Sequence, residues 1–335
     1  MRALFLLFIL LHASVCLAQA NMCAVLDSIV RTMQRISFYN TYGAQERIAK
    51  LDLSGCAQAD SLHELAPQLT AVMNALGDHH GRIMLDWQPL AWMSDATYTN
   101  NHDTRSPDQA FWSEVQRGRY GFEASMRGKN VGYLRIPAVN GGDVQQIAKK
   151  FRHSLDSLLA LGADRWIIDL RVNSGGNMWP MLEALAPLFP PGRAATTIDR
   201  HDGMFASYDF RDGHFERNAY RMIELPSTAF LFKDPVVVLM GRYTASSGEA
   251  VAACFVNRPN TTSIGEATAD YATETGWVTV YDRVLISIAE SVFCNLEGHQ
   301  YRHGFIPTVV IPQPAPGFDN GDPAIKAALD QLNER

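Results

Sequence analysis

Two short loops carry residue types from which a nucleophilic site can be built: Asn173-Ser174-Gly175-Gly176-Asn177 and Thr244-Ala245-Ser246-Ser247-Gly248-Glu249. Each follows an apolar run that reads as a strand and leads into a helical pattern, the position where parallel sheets place their ligands. Gly175 and Gly176 let the backbone bring N–H groups close to a ligand, and the helix start behind them favours negative charge. Such a loop suits a phosphate or an oxyanion. Neither G-x-x-x-x-G-K-S/T nor G-x-G-x-x-G occurs in the chain, so the phosphate reading lacks its usual supporting residues. The oxyanion reading gains from the second loop. Ser246 falls at a strand-to-helix turn, the Ser247 N–H can supply one oxyanion donor, and Gly175 or Gly176 can supply the other. The plainer use of the same six residues is a helix start with serine and threonine caps and a capping-box Glu249.

A serine hydroxyl needs a neighbouring base to attack at neutral pH, and histidine is the usual supplier. The segment Gly77-Asp78-His79-His80-Gly81 offers one, with a polar loop after a helix as its alternative use. His201 and His214 stand beside Asp-Gly turns and read as solvated turn residues. No H-E-x-x-H or similar ligand spacing is present, so neither a metal nor a cofactor is expected.

The elements that must position these groups fall into two kinds. From Asn21 to about Trp92 apolar residues recur at helical spacing, and Gly77 stops the second helix. A polar, irregular linker follows from Ser94 to Arg119. After it strands and helices alternate. Val131 to Val139 reads as a strand, Asp143 to Leu161 as a helix, Arg165 to Val172 as an apolar strand, and Met178 to Phe189 as a helix. A hairpin is expected around Asp212-Gly213, then a buried strand through Pro235 to Gly241, then further strands, and a closing amphipathic helix from Asp322. The pattern is α/β around a largely parallel sheet.

The first twenty residues have one arginine, an apolar run from Ala3 to Leu11 and an A-x-A pattern at Ala18 and Ala20, which reads as a secretory signal peptide. The apolar run is shorter than the ~20 residues that a membrane span needs. The formal net charge of the 335-residue chain is -6 and becomes one unit more negative without Arg2, so nothing basic is left to draw nucleic acid or an anionic membrane surface. A peptide or protein substrate is the expected partner. In an oxidising compartment Cys23 is expected to pair with Cys56 and Cys254 with Cys294, since each pair stays within one half of the chain; buried free thiols are the alternative.

In combination these pieces resemble the C-terminal processing (tail-specific) serine peptidase family over most of the chain. The matching segments are Gly132 to Val139, Ile167 to Asn177, Val236 to Ala253, Ser263 to Ala269, Gly304 to Ile311 and Asp322 to Leu332. The resemblance implies a crotonase-like (ClpP/crotonase) superhelix of strand-strand-helix units with a small helical N-terminal region. The implied boundaries are a signal peptide over 1–20, an N-terminal helical region and linker over 21–105 and a peptidase core over 106–335. It also implies Ser246 as nucleophile, with Gly175, Gly176 and Ser247 around the oxyanion. Many members activate the serine with a lysine near the position of Tyr271, yet no lysine lies between Lys233 and Lys326. The Asp78-x-His80 pattern is similar to the branch with tricorn-protease-like Ser-His-Glu chemistry, with Gly81 where that branch has serine or threonine. His80 is therefore the expected base, and Glu249, Glu274, Glu290 and Glu297 are candidates for the third member. Asp169 and Arg171 are expected to hold the glycine loop. No PDZ domain fits before Val131.

The expectation is thus an exported, periplasmic or secreted serine endopeptidase. Two other readings stay open. One is an α/β-hydrolase-type esterase in the order Ser246, Asp282, His303, against which Thr244 stands where a nucleophile elbow has glycine. The other is a catalytically silent binding protein on the same fold.

Overall fold

The computed structural model describes residues 21–94, 109–226, 230–312 and 317–333. The expected signal peptide and residues 95–108 of the expected linker lie outside them. The chain divides into two compact units, one of residues 1–97 with 275–291 and one of 98–274 with 292–335.

The first unit begins with α1 (Met22–Ile36), capped by the Asn21 side chain, which accepts the N–H groups of Cys23 and Ala24. Val25, Leu26, Ile29, Val30 and Met33 repeat three and four apart and are buried as one face. Then come α2 (Tyr42–Ala49) and α3 (Ala66–Leu76), the latter closed by Gly77 in the left-handed region at φ 78°. The helical pattern expected up to Trp92 stops there. Residues Arg82–Leu85 form β1 and Gln88–Trp92 form β2, paired antiparallel. The reason is visible in the period: Ile83 and Leu85 are buried while Arg82 is exposed, the alternation of a strand and not of a helix.

The second unit starts its described part with α4 (Gln109–Gln116), inside the stretch expected to be a structureless linker. Its rings supply what local pattern does not: Phe111 packs on Tyr120, Tyr243 and Phe318, and Trp112 stacks on Tyr243 with ring centroids 5.0 Å apart. Next are β3 (Glu123–Arg127), β4 (Val131–Arg135), α5 (Val144–Ala160), β5 (Arg165–Asp169), α6 (Met178–Leu185), β6 (Gly192–Ile198), β7 (Met204–Arg211) and β8 (His214–Arg217). β9 (Val236–Met240), α7 (Ser247–Val256) and β10 (Thr261–Gly265) follow. The chain continues through β11 (Thr273–Val280), β12 (Val284–Cys294), β13 (Val309–Val310) and α8 (Pro323–Asn333).

A six-stranded sheet in the order β13-β10-β9-β5-β4-β3 forms the frame of this unit. Its strands run parallel from β13 to β4, and β3 pairs antiparallel with β4. β9 is buried along its whole length, which explains its unbroken apolar run. The hairpin expected at Asp212-Gly213 joins β7 to β8, with both turn residues at positive φ.

The expected boundary near residue 105 needs one correction. Residues 275–291 belong with the N-terminal unit, because β12 pairs with β1 from Val284 to Ser287, and Val284, Ile286 and Ile288 are buried in the same core as α1 and α3.

Candidate active site

The site is built at the carboxyl ends of β5 and β9. Beyond β9 the chain turns at Thr244, whose hydroxyl donates to the Leu170 carbonyl at 2.9 Å and accepts the Gly241 N–H at 3.0 Å. The Ala245 N–H donates to the Asn173 carbonyl at 2.9 Å, so the second loop is fastened to the first before the serine is reached. Ser246 then adopts φ 52° and ψ -117°, and α7 begins at the next residue. A side chain held at such a backbone costs on the order of 1–3 kcal/mol, and strain of this kind clusters at functional turns. Glu249 holds it there by accepting the Ser246 N–H at 3.0 Å on Oε2, one half of a capping box.

Glu249 is fully buried and has three donors. The Tyr271 N–H reaches Oε2 at 2.8 Å, and the Thr268 hydroxyl donates to Oε1 while accepting the Phe305 N–H at 2.8 Å. Burial pushes the carboxyl up to about 8 against the pull of these hydrogen bonds, so desolvation wins and Glu249 is neutral at pH 7. Tyr271 occupies the position where the family resemblance leads one to expect a lysine. There its backbone serves Glu249.

The glycine loop lies directly against the serine. A Cβ on Gly175 would stand 2.8 Å from the Ser246 Cβ and 3.3 Å from its Oγ. The Gly175 N–H, one of the expected oxyanion donors, is donated to Asn173 Oδ1 at 3.0 Å. The Gly175 carbonyl accepts the Val139 N–H at 3.0 Å, which turns the N–H of the same peptide, that of Gly176, away from Val139. Among the described residues, the N–H groups of Gly176 and Ser247 donate to no partner. Ser247 is the first residue of α7, where an N–H has no intrahelical acceptor. These two donors, not Gly175, are available to a developing negative charge.

His80 lies in the first unit, after Gly77 ends α3. Asp78 is fully buried; its Oδ1 accepts the N–H groups of His80 at 3.1 Å and Gly81 at 2.7 Å, and its Oδ2 accepts the Ala289 N–H at 2.9 Å. The aspartate thus shapes the turn through the backbone. A Cβ on Gly81 would come within 2.8 Å of Asp78 Oδ2 and of the Met73 methyl, so a serine or threonine here would displace these side chains. The His80 ring is buried. Desolvation first, then the nearby His79 and Arg82 charges, hold it down at about 3, so it is a neutral imidazole. His79 packs at 5.8 Å on the Tyr39 ring.

The other candidates scatter. Glu274 accepts the hydroxyls of Thr197 and Tyr208, each at 3.1 Å, and pairs with Arg217, which gives it a place in the second unit's core. Glu290 lies on β12 in the first unit, one residue after Ala289, with its carboxylate over Gly276. Glu297 is exposed. Asp282 sits at an exposed turn of the first unit and His303 on the surface of the second. Asp169 and Arg171 form a buried pair extended by Asp322 at 2.8 Å, with the Tyr133 hydroxyl on Asp169.

Cys23 and Cys56 form a disulfide, whereas Cys254 and Cys294 are free and buried, which corrects the second expected bridge. Cys254 lies in the core face of α7, and the Cys294 thiol is 2.9 Å from the Thr196 hydroxyl instead. His214 is not a solvated turn residue either, since its Nδ1 is 2.8 Å from the buried Glu183.

Sequence reasoning missed Asn173, Thr244 and Thr268. Asn173 had a local signal, an Asx-turn residue two before a glycine. Thr268 had none, because its partner is nineteen residues away. Among the described residues, no cluster of three or more His, Cys, Asp or Glu side chains could hold a metal ion, and no helix is long and apolar enough to cross a membrane.

The mixed α/β unit thus carries a glycine loop and a strained serine turn at the ends of parallel strands, and this is the part of the chain that a peptidase family model matches. More narrowly, residues 130–311 match the model of peptidase family S41, and the chain belongs to that family. It is 29% identical over 171 residues to the nisin-resistance protein of Lactococcus lactis subsp. lactis, a match covering 51% of this chain and 52% of that relative. It is 25% identical over 213 residues to a carboxyl-terminal-processing protease of Synechocystis sp., covering 62% of this chain and 45% of the relative. The chain thus spans about half the length of these curated relatives. The solved structure of a lipoprotein from Streptococcus agalactiae shares the fold, with a TM-score of 0.67 at 18% identity over 92% of this chain and 95% of that one.

Proposed function

We propose that the protein is an exported endopeptidase in which Ser246 is the nucleophile and His80 its general base. Ser246 Oγ bonds to the carbonyl carbon of the scissile peptide as its proton passes to the neutral His80 imidazole. The carbonyl oxygen, now an anion, is held by the Gly176 and Ser247 N–H groups. The imidazolium returns its proton to the departing amine, and water then hydrolyses the acyl-enzyme by the same exchange. The observation that carries the reading is the strained Ser246 turn, anchored through its N–H to Glu249, with two unengaged N–H donors beside it.

The absence of lysine from 234 to 325 supports histidine as the base. This reading requires His80 to reach Ser246 from the other unit. Of the candidate acids, we take Glu290, which shares the first unit with His80, as the one that orients the imidazole. Export rests on the signal-peptide pattern of residues 1–20, and the crotonase-like superhelix on the order of strands and helices around the two loops. Substrates are peptides or proteins, the chemistry named in the carboxyl-terminal-processing relatives. A peptide-library digest with the purified protein, read by mass spectrometry, should show internal cleavages that vanish in Ser246→Ala. Cleavage that persists in that variant refutes the assignment.

A further inference from the structure

The side chain of Ser247 does something that its backbone role leaves unexplained. Its hydroxyl donates to the Gly176 carbonyl at 2.6 Å, across 71 residues of sequence, from the nucleophile loop to the glycine loop. Gly176 is the residue whose N–H is the second oxyanion donor, and Ser247 supplies the first. One residue therefore provides a donor and also grips the residue that provides the other. We infer that the Ser247 hydroxyl is a positioning group that sets the separation of the two oxyanion donors.

The two peptides flanking the Gly176 Cα show why a tie is needed there. The preceding peptide is pinned by the Val139 N–H on the Gly175 carbonyl at 3.0 Å, and the following one by the Asn177 N–H on the Val139 carbonyl at 2.8 Å. Both bonds hold the loop to residue 139, and neither refers it to the serine. Asn173, upstream of the glycines, links the loops through its carbonyl, which takes the Ala245 N–H, while its Oδ1 takes the Gly175 N–H within the glycine loop. Gly175 and Gly176 adopt φ 111° and 93°, and neither carries a Cβ to stiffen the backbone there. Among the described residues, only the Ser247 hydroxyl binds Gly176 itself to the serine loop. An oxyanion site works when both donors lie about 2.7–3.1 Å from the same oxygen, so a loose second donor loses its effect in the transition state while ground-state binding is untouched.

The inference rests on the serine mechanism proposed above and is tested by Ser247→Ala and Ser247→Thr, with kcat and KM measured on a peptide found in the library digest. Because the Asn173 links remain, Ser247→Ala should fold and melt as the wild type does. Its kcat should fall roughly tenfold to a hundredfold, the range for misplacement of a catalytic group by up to ~1 Å. KM should stay within twofold, and a peptidyl trifluoromethyl ketone, which mimics the tetrahedral oxyanion, should lose affinity by the same factor as kcat. Ser247→Thr keeps the hydroxyl and should recover most of the rate. A kcat of Ser247→Ala within twofold of wild type overturns the inference, and so does an equal loss in the alanine and threonine variants. A fluorophosphonate that fails to label Ser246 in the wild type instead refutes the underlying mechanism.

Discussion

A single methyl group on Gly176 should remove most of the turnover without unfolding the protein. The residue sits at φ 93°, and a Cβ there would lie 2.1 Å from the Val139 carbonyl oxygen and 2.6 Å from its carbon, both backbone atoms of the strand-like segment that pins the loop. Ordinary contact begins near 3.4 Å, so the loop must retreat by about 1.3 Å. A shift of that size moves the Gly176 N–H off the oxyanion, and misplacement by ~1 Å costs on the order of a hundredfold in rate. Gly162 provides the control, since it has the same φ of 93° at the end of α5 and a Cβ there meets nothing within 4 Å. Gly162→Ala bears the left-handed strain of roughly 1–2 kcal/mol alone. The assay is steady-state cleavage of a library-derived peptide, beside thermal melts of both variants. Gly176→Ala should lose about a hundredfold in kcat with little change in KM, and Gly162→Ala should turn over normally. A folded Gly176→Ala with wild-type kcat would refute the reasoning.

His80→Ala should be about as damaging as loss of the nucleophile, roughly a thousandfold or more, with His79→Ala and His303→Ala as controls; activity that survives His80→Ala while His303→Ala abolishes it favours the esterase order instead. Since burial holds His80 down at about 3, the acid limb of kcat/KM should lie well below the ordinary 6.5 of histidine, and a limb near 6.5 would contradict the buried neutral imidazole. The same shift makes stability fall as pH drops from 6.5 towards 3, because the unfolded chain takes up the proton first; His80→Gln should lack that loss in a pH series of melts. Glu249→Gln should fold and cleave nearly as wild type, because it matches the neutral acid. Glu249→Ala removes the carboxyl that accepts the Ser246 and Tyr271 N–H groups and should cost about 1–3 kcal/mol for each bond lost. With its carboxyl pushed up to about 8, the wild type should lose stability relative to Glu249→Gln as pH rises from 4.5 through 8, and a constant difference would show the carboxyl to be ionised throughout.

The parts of this site legible in the sequence are those with local grammar. Gly175 and Gly176 stand out because their conformation needs glycine, and Ser246 because a strand, a turn and a helix follow one another around it. What escaped notice depends on distant partners. Residues 275–291 return to the first unit because Val284, Ile286 and Ile288 complete a core laid down two hundred residues earlier, and no local pattern records that. α4 forms in a polar stretch because Phe111 and Trp112 find the rings of Tyr243 and Phe318. The short span with Ile83 and Leu85 follows directly on the helices, where a period of two is hard to tell over four residues. The pairing of Cys254 with Cys294 looked reasonable by nearness in sequence, but one lies in a helix core face and the other against Thr196. Gly175 lies against Ser246, while the engagement of its N–H by Asn173 is a matter of side-chain geometry that no local pattern records.

The central claim is that Ser246 is the nucleophile, and covalent labelling tests it most directly. The purified protein is treated with a fluorophosphonate, its intact mass is measured, and the modified residue is located by peptide mapping. One adduct on Ser246, absent from Ser246→Ala and slowed by His80→Ala, is the predicted result. An adduct on another residue, or no adduct on protein that is cleaving peptide, would contradict it.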